Sequence, residues 1–170
     1  MHGECFRCHR TENEDYPKAP KFKCEECHSE QSDEVYVFAD GRTLYLEVST
    51  EGLEDGVPKV KSVLTGEFKE CNFKLLDKEN AAKADFKVVC KIQIEEVYDK
   101  LIPANSGVRL FRGSCQLEVY HGAKLILSKS IPSKVISDKI PLAAHKKIAG
   151  YLQTQAYWKI SKAIWDVFLE

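Results

Sequence analysis

Two Cys-x-x-Cys pairs, Cys5-Phe6-Arg7-Cys8 and Cys24-Glu25-Glu26-Cys27, stand fifteen residues apart near the start of the chain. Two such knuckles can each offer two thiolates to one tetrahedral ion, the pattern of structural zinc. A segment as short as residues 1–30 buries too little surface to order itself. Metal binding supplies the missing free energy, about 10–16 kcal/mol in small finger peptides. The expectation is a single zinc held by Cys5, Cys8, Cys24 and Cys27. Four thiolates leave no open coordination position, so the site is expected to be structural and not catalytic.

Both knuckles run on into histidine, His9 and His28, which is formally the attachment pattern of c-type haem. Haem needs an export-side compartment and axial ligands. Met1 is the only methionine, and the remaining histidines are His2, His121 and His145. Redox dithiols or a cluster are further alternatives. Zinc is preferred.

The other three cysteines, Cys71, Cys90 and Cys115, lie in apolar stretches and read as small buried hydrophobes. An odd count of seven, with a polar N-terminus and no leader pattern, points away from a disulfide framework and toward a reducing compartment. The net charge of −1 argues against a general polyanion binder. No run of eighteen apolar residues occurs, so no spanning helix and no membrane partner are expected.

Periodicity places the elements. Val35–Ala39 and Thr43–Val48, about Asp40-Gly41, read as a hairpin. Residues 54–66 suggest a short helix with Asp55 as cap, Pro58 in the first turn and Gly66 at its close. Residues 67–76 are expected to form a strand. Phe86, Val88, Cys90, Ile92 and Ile94 alternate with mostly polar neighbours, which makes 86–97 the clearest strand. Residues 114–120 and 123–129 suggest a second hairpin about His121-Gly122. From Pro141 the period becomes helical to the C-terminus. The fold class is therefore α+β, mainly antiparallel β. An OB-like small Greek-key barrel with a four-cysteine zinc ribbon and a C-terminal helix fits the strand count. The expected organisation is a ribbon over 1–30, a barrel over 31–140 and a helix over 141–170, in one structural unit.

No phosphate loop, nucleophile elbow or HExxH appears, so no enzyme is expected. Basic and aromatic residues near the central strands are more suggestive. Lys87, Lys91, Arg109, Phe111 and Arg112 are candidates for a single-stranded nucleic-acid groove, in which cations follow phosphates and rings stack on bases.

The ribbon Cys5–Cys27, the segment Val63-Leu64-Thr65-Gly66 and the strand Phe86-Lys87-Val88-Val89-Cys90-Lys91-Ile92 together resemble a known family. It is the C-terminal DNA-binding domain of the replication protein A large subunit, with DNA-repair relatives such as the third OB domain of shieldin subunit 2. The resemblance implies an OB-fold carrying a zinc ribbon, single-stranded DNA as partner, a role in replication, repair or telomere maintenance, and the nucleus. It also implies an alternative, an assembly module of a DNA-maintenance complex. There Tyr151, Trp158, Ile164 and Trp165 of the last helix would dock on a partner subunit.

Overall fold

The computed structural model describes residues 42–168. The four ribbon cysteines and the expected strand Val35–Ala39 lie outside the described residues. Six strands and two long helices follow: β1 Thr43–Glu51, α1 Val60–Glu70, β2 Lys74–Leu76, β3 Phe86–Val97, β4 Arg109–His121, β5 Lys124–Pro132, β6 Ile136–Asp138 and α2 Pro141–Phe168. One sheet contains all six strands in the order β2-β1-β3-β4-β5, with β6 also on β4. β1 runs parallel to both of its neighbours, β2 and β3. The sheet is mixed and open, covered on one face by α2.

That topology corrects the expected barrel. A closed Greek key pairs antiparallel strands around a ring. Here α1 carries the chain from β1 to its parallel neighbour β2, as such a crossover requires. Both edges of β1 over Leu44–Tyr45 are taken, by β2 and β3. The replication protein A and shieldin resemblance falls with the barrel.

The second helix boundary is also corrected. Val60, Leu64 and Phe68 fall at four-residue intervals and bury one stripe of α1. Gly66 sits mid-helix with open space where a Cβ would stand, and does not end it. The stop is Asn72, at φ 63°, a left-handed conformation that asparagine tolerates. Asn72 N–H donates to Lys69 O at 3.0 Å, and Phe73 N–H reaches back to Phe68 O at 3.2 Å. The two rings meet at 5.9 Å, the apolar contact that accompanies this stop. The expected strand over 67–76 is therefore helical through Glu70, and only Lys74–Leu76 is extended.

β3 occupies the predicted residues and buries Phe86, Val88, Cys90, Ile92 and Ile94 on alternate positions. Gly122, at φ 58°, turns β4 into β5 as expected. α2 lays Ala144, Ile148, Leu152, Ala156, Ile160 and Ile164 along the sheet, all nearly inaccessible. It lies close against Gly113. A Cβ there would stand 2.4 Å from Ile148 Cγ2.

Candidate functional site: a lysine-rimmed groove

β5 ends the path of the sheet, and its final register decides which side chains meet α2. Leu127 pairs with Val119 and Lys129 with Leu117. Val119 and Leu117 are buried under the helix, and paired residues share a face, so Leu127 and Lys129 turn to the same side. On α2, Lys159, Lys162, Ala163, Asp166 and Val167 recur at three- and four-residue steps and form one stripe. Between strand and stripe lies an open groove of about 460 Å³.

Leu125, Ile126, Leu127, Ala163 and Val167 give this groove an apolar lining, and Lys124, Lys129, Lys159 and Lys162 surround it. Asp166 is its one carboxylate, and Lys162 Nζ holds it at 3.2 Å. Among the described residues Lys124, Lys129 and Lys159 form no ion pair. His121 closes one end, stacked on Phe86 at 4.8 Å. The volume is that of an ordinary small-ligand site, and the uncompensated charge is positive.

The remaining polar interior is built for packing. Cys90 and Cys115 are fully buried, with their sulfurs 3.4 Å apart. The hydrogen bond between them and their burial push the Cys90 thiol up, away from thiolate. Burial likewise raises Cys71 and Tyr157, which meet at 3.3 Å. The hydrogen bond with Cys90 lowers Cys115, but that thiol is fully buried, so none of the three has both the lowered and the exposed character of a nucleophile. His145 is 4% exposed, and its Nδ1 accepts the Glu54 N–H at 3.0 Å. Desolvation holds this imidazole below its usual range, with Glu54 opposing and Arg109 assisting.

The expected nucleic-acid residues do not make one surface. Lys87, Lys91 and Arg112 do share the face of the sheet opposite α2, among Glu47, Glu51, Glu95 and Glu118. Lys87 lies 3.9 Å from Glu47, and Arg112 2.6 Å from Glu95. Arg109 projects to the other face and grips Glu96 with contacts of 2.8 and 2.6 Å. Phe111 is buried against His145, with ring centroids 4.7 Å apart, and cannot stack on a base. Alternation along the strands had put charge on a wet face correctly. It gave no sign that carboxylates on neighbouring strands would neutralise that charge.

The candidate partner residues divide too. Ile164 and Trp165 are buried within the fold, so they are not available to a partner. Trp158 is half-buried and Tyr151 is exposed. Cys5, Cys8, Cys24 and Cys27 lie outside the described residues. Among those described, no group of three or more metal-ligating side chains is placed to hold an ion. The groove lysines escaped the sequence reading. The available signal was Lys159 and Lys162 on one helical stripe, in a stretch read for its apolar and aromatic residues.

No family model matches the chain. No curated protein matches it either. Among solved structures, a Xanthomonas campestris protein assigned to the DUF330 family model is 8% identical, with a TM-score of 0.48, covering 76% of this chain and 88% of its own. A minor lipoprotein from Acinetobacter baumannii is 13% identical at a TM-score of 0.44, over 71% of this chain and 91% of that one. Rare lipoprotein B from Shewanella oneidensis is 12% identical at 0.41, over 72% and 92%. Likeness of this degree does not carry a function from one chain to another. With the open sheet and the neutralised face, the single-stranded DNA role, the DNA-maintenance assembly alternative and the nuclear location are corrected.

Proposed function

We propose that this chain is a non-catalytic binding module whose groove between β5 and α2 takes an anionic amphiphile, an acyl chain ending in a carboxylate or phosphate. The supporting observation is the pairing of an apolar lining with four lysines, of which only Lys162 has a carboxylate partner among the described residues. The acyl portion gains from leaving water, at roughly 25 cal/mol per Å² buried. The lysine stems can lie along it while their ammonium groups reach the anionic head. A neutral ligand would gain only the first contribution.

Titration with dodecyl phosphate below its micelle concentration, beside dodecyl maltoside, tests the reading. The phosphate should bind and the maltoside should not. Lys124→Glu with Lys129→Glu should weaken phosphate binding about tenfold, a reasonable sum for two partly screened charges each reversed in sign. Equal binding of both detergents, or no loss in the variant, would sink the reading.

The four N-terminal cysteines are a separate proposal: Cys5, Cys8, Cys24 and Cys27 bind one zinc. A second reading is favoured by His9 and His28, since both Cys-x-x-Cys pairs continue into histidine as haem attachment requires. Metal analysis with an absorption spectrum separates the two. Zinc at one per chain supports the first, and a Soret band replaces it with the second.

A further inference from the structure

Six large apolar residues stand out as exposed among the described residues; Tyr98, Leu101 and Ile140 belong to one end of the sheet, and Val135 to the adjoining edge, just before Ile136 opposite Phe111. The register shows this. β3 and β4 meet there at Val97 opposite Leu110, and β5 stops at Pro132 opposite Ser114. β6 leaves β4 at Asp138 opposite Arg109, and α2 begins directly after Ile140. Tyr98 and Leu101, just past the end of β3, are 89% and 82% exposed.

The turns that display them are held in shape. Asp99 accepts the Leu101 N–H at 2.9 Å and the Ile102 N–H at 3.1 Å. Asp138 accepts the Ile140 N–H at 3.0 Å. Exposure here is therefore a property of the built turns. Each of three protruding residues follows a lysine: Lys100-Leu101, Lys134-Val135 and Lys139-Ile140. These lysines are exposed, and none forms an ion pair among the described residues. Three nearby carboxylates are already engaged, and Glu54 lies within electrostatic reach of Arg109. Asp99 is turned onto its own backbone, Asp138 also lies 3.7 Å from Lys147, and Glu96 is gripped by Arg109. What this end presents outward is apolar tips with unpaired positive charge.

We propose that this end rests on an anionic lipid bilayer, with Tyr98, Leu101, Val135 and Ile140 entering the headgroup region and Lys100, Lys134 and Lys139 meeting lipid phosphates. Aromatic and aliphatic tips flanked by lysine suit that interface, where rings and stems sit in the acyl boundary and charges stay wet. No helix among the described residues is long and apolar enough to cross a membrane. A search for spanning runs does not register single residues drawn from three separate turns, and the expectation of no membrane partner rested on such runs alone. This proposal is independent of the groove, which lies along β5 and the later turns of α2.

Flotation of the full chain with vesicles tests it. Mixed phosphatidylcholine–phosphatidylglycerol vesicles should carry the protein, and pure phosphatidylcholine should carry much less. A variant with Tyr98→Ser, Leu101→Ser and Ile140→Ser should lose at least about tenfold in partitioning, since several apolar side chains are removed from the interface. Lys100→Glu with Lys134→Glu and Lys139→Glu should abolish the preference for phosphatidylglycerol. All six side chains are exposed, so unchanged melting is expected. The Lys124→Glu, Lys129→Glu variant should float as the parent does, which keeps failure of the groove distinct from failure of this surface. Failure of the parent chain to float with either vesicle, or unaltered flotation of the serine variant, would overturn the proposal. So would capture of this end by a second protein with no vesicle binding.

Discussion

Two residues carry consequences out of proportion to their size. Gly113 lets α2 lie directly on β4, because a Cβ there would meet Ile148 at 2.4 Å and Leu152 at 2.9 Å. Gly113→Ala is therefore expected to push α2 from the sheet and cost about 1–3 kcal/mol, the usual cost of overpacking. Chemical denaturation would show a lower midpoint, and an unchanged midpoint would mean the helix yields freely. His145 acts through its proton. Its Nδ1 already accepts a backbone N–H, and its Nε2 is buried without a hydrogen-bond partner. Protonation breaks the first bond and places a charge in the core. The folded-state pKa lies below the usual 6.5, so the unfolded chain binds the proton more tightly. This contribution to stability is complete above the unfolded value and falls away as pH drops through the folded one. Melting temperature should decline on acidification below about pH 6.5, and His145→Gln should flatten that decline. An equal slope in the variant would assign it to other groups.

The elements differ in how far their sequence announced them. β3 was legible because an apolar residue stands at every second position from Phe86 to Ile94, and burial follows that alternation. α2 was legible because no proline interrupts its period, though not which aromatics would be buried. Trp165 packs on Phe168 at 5.3 Å and is 7% exposed. Trp165→Ser should accordingly unfold or weaken the domain by about 3–5 kcal/mol. A variant with native melting but a lost partner would restore the docking role once expected of this face. α1 was misjudged at both ends. Glycine is the commoner stop signal, yet Gly66 has no structural task there, while Asn72 and Phe73 form a cap visible only through its hydrogen bonds. β2 is a three-residue strand, too short for any periodic signal.

At the scale of the molecule, the class α+β with a terminal helix was readable, and the closure of the sheet was not. Strand order and direction are set by contacts distant in sequence. The parallel pairing of β1 with β3 joins Leu44 to Phe86, across the whole of α1 and β2. The groove has the same origin, since its lysines come from β5 and from α2 and meet only after folding. Its binding should also fall with salt, because exposed lysines are screened over roughly 10 Å at a tenth molar. An affinity for dodecyl phosphate that is constant across ionic strength would assign the binding to the apolar lining alone.

The most direct measurement is a two-dimensional NMR titration of the full chain with dodecyl phosphate. Shifts confined to the amides of Lys124–Lys129 and Lys159–Val167 are predicted, with His121 at the margin. Shifts gathered instead around Lys87 and Lys91 on the face opposite α2, or none at all, would contradict the groove as the site of binding.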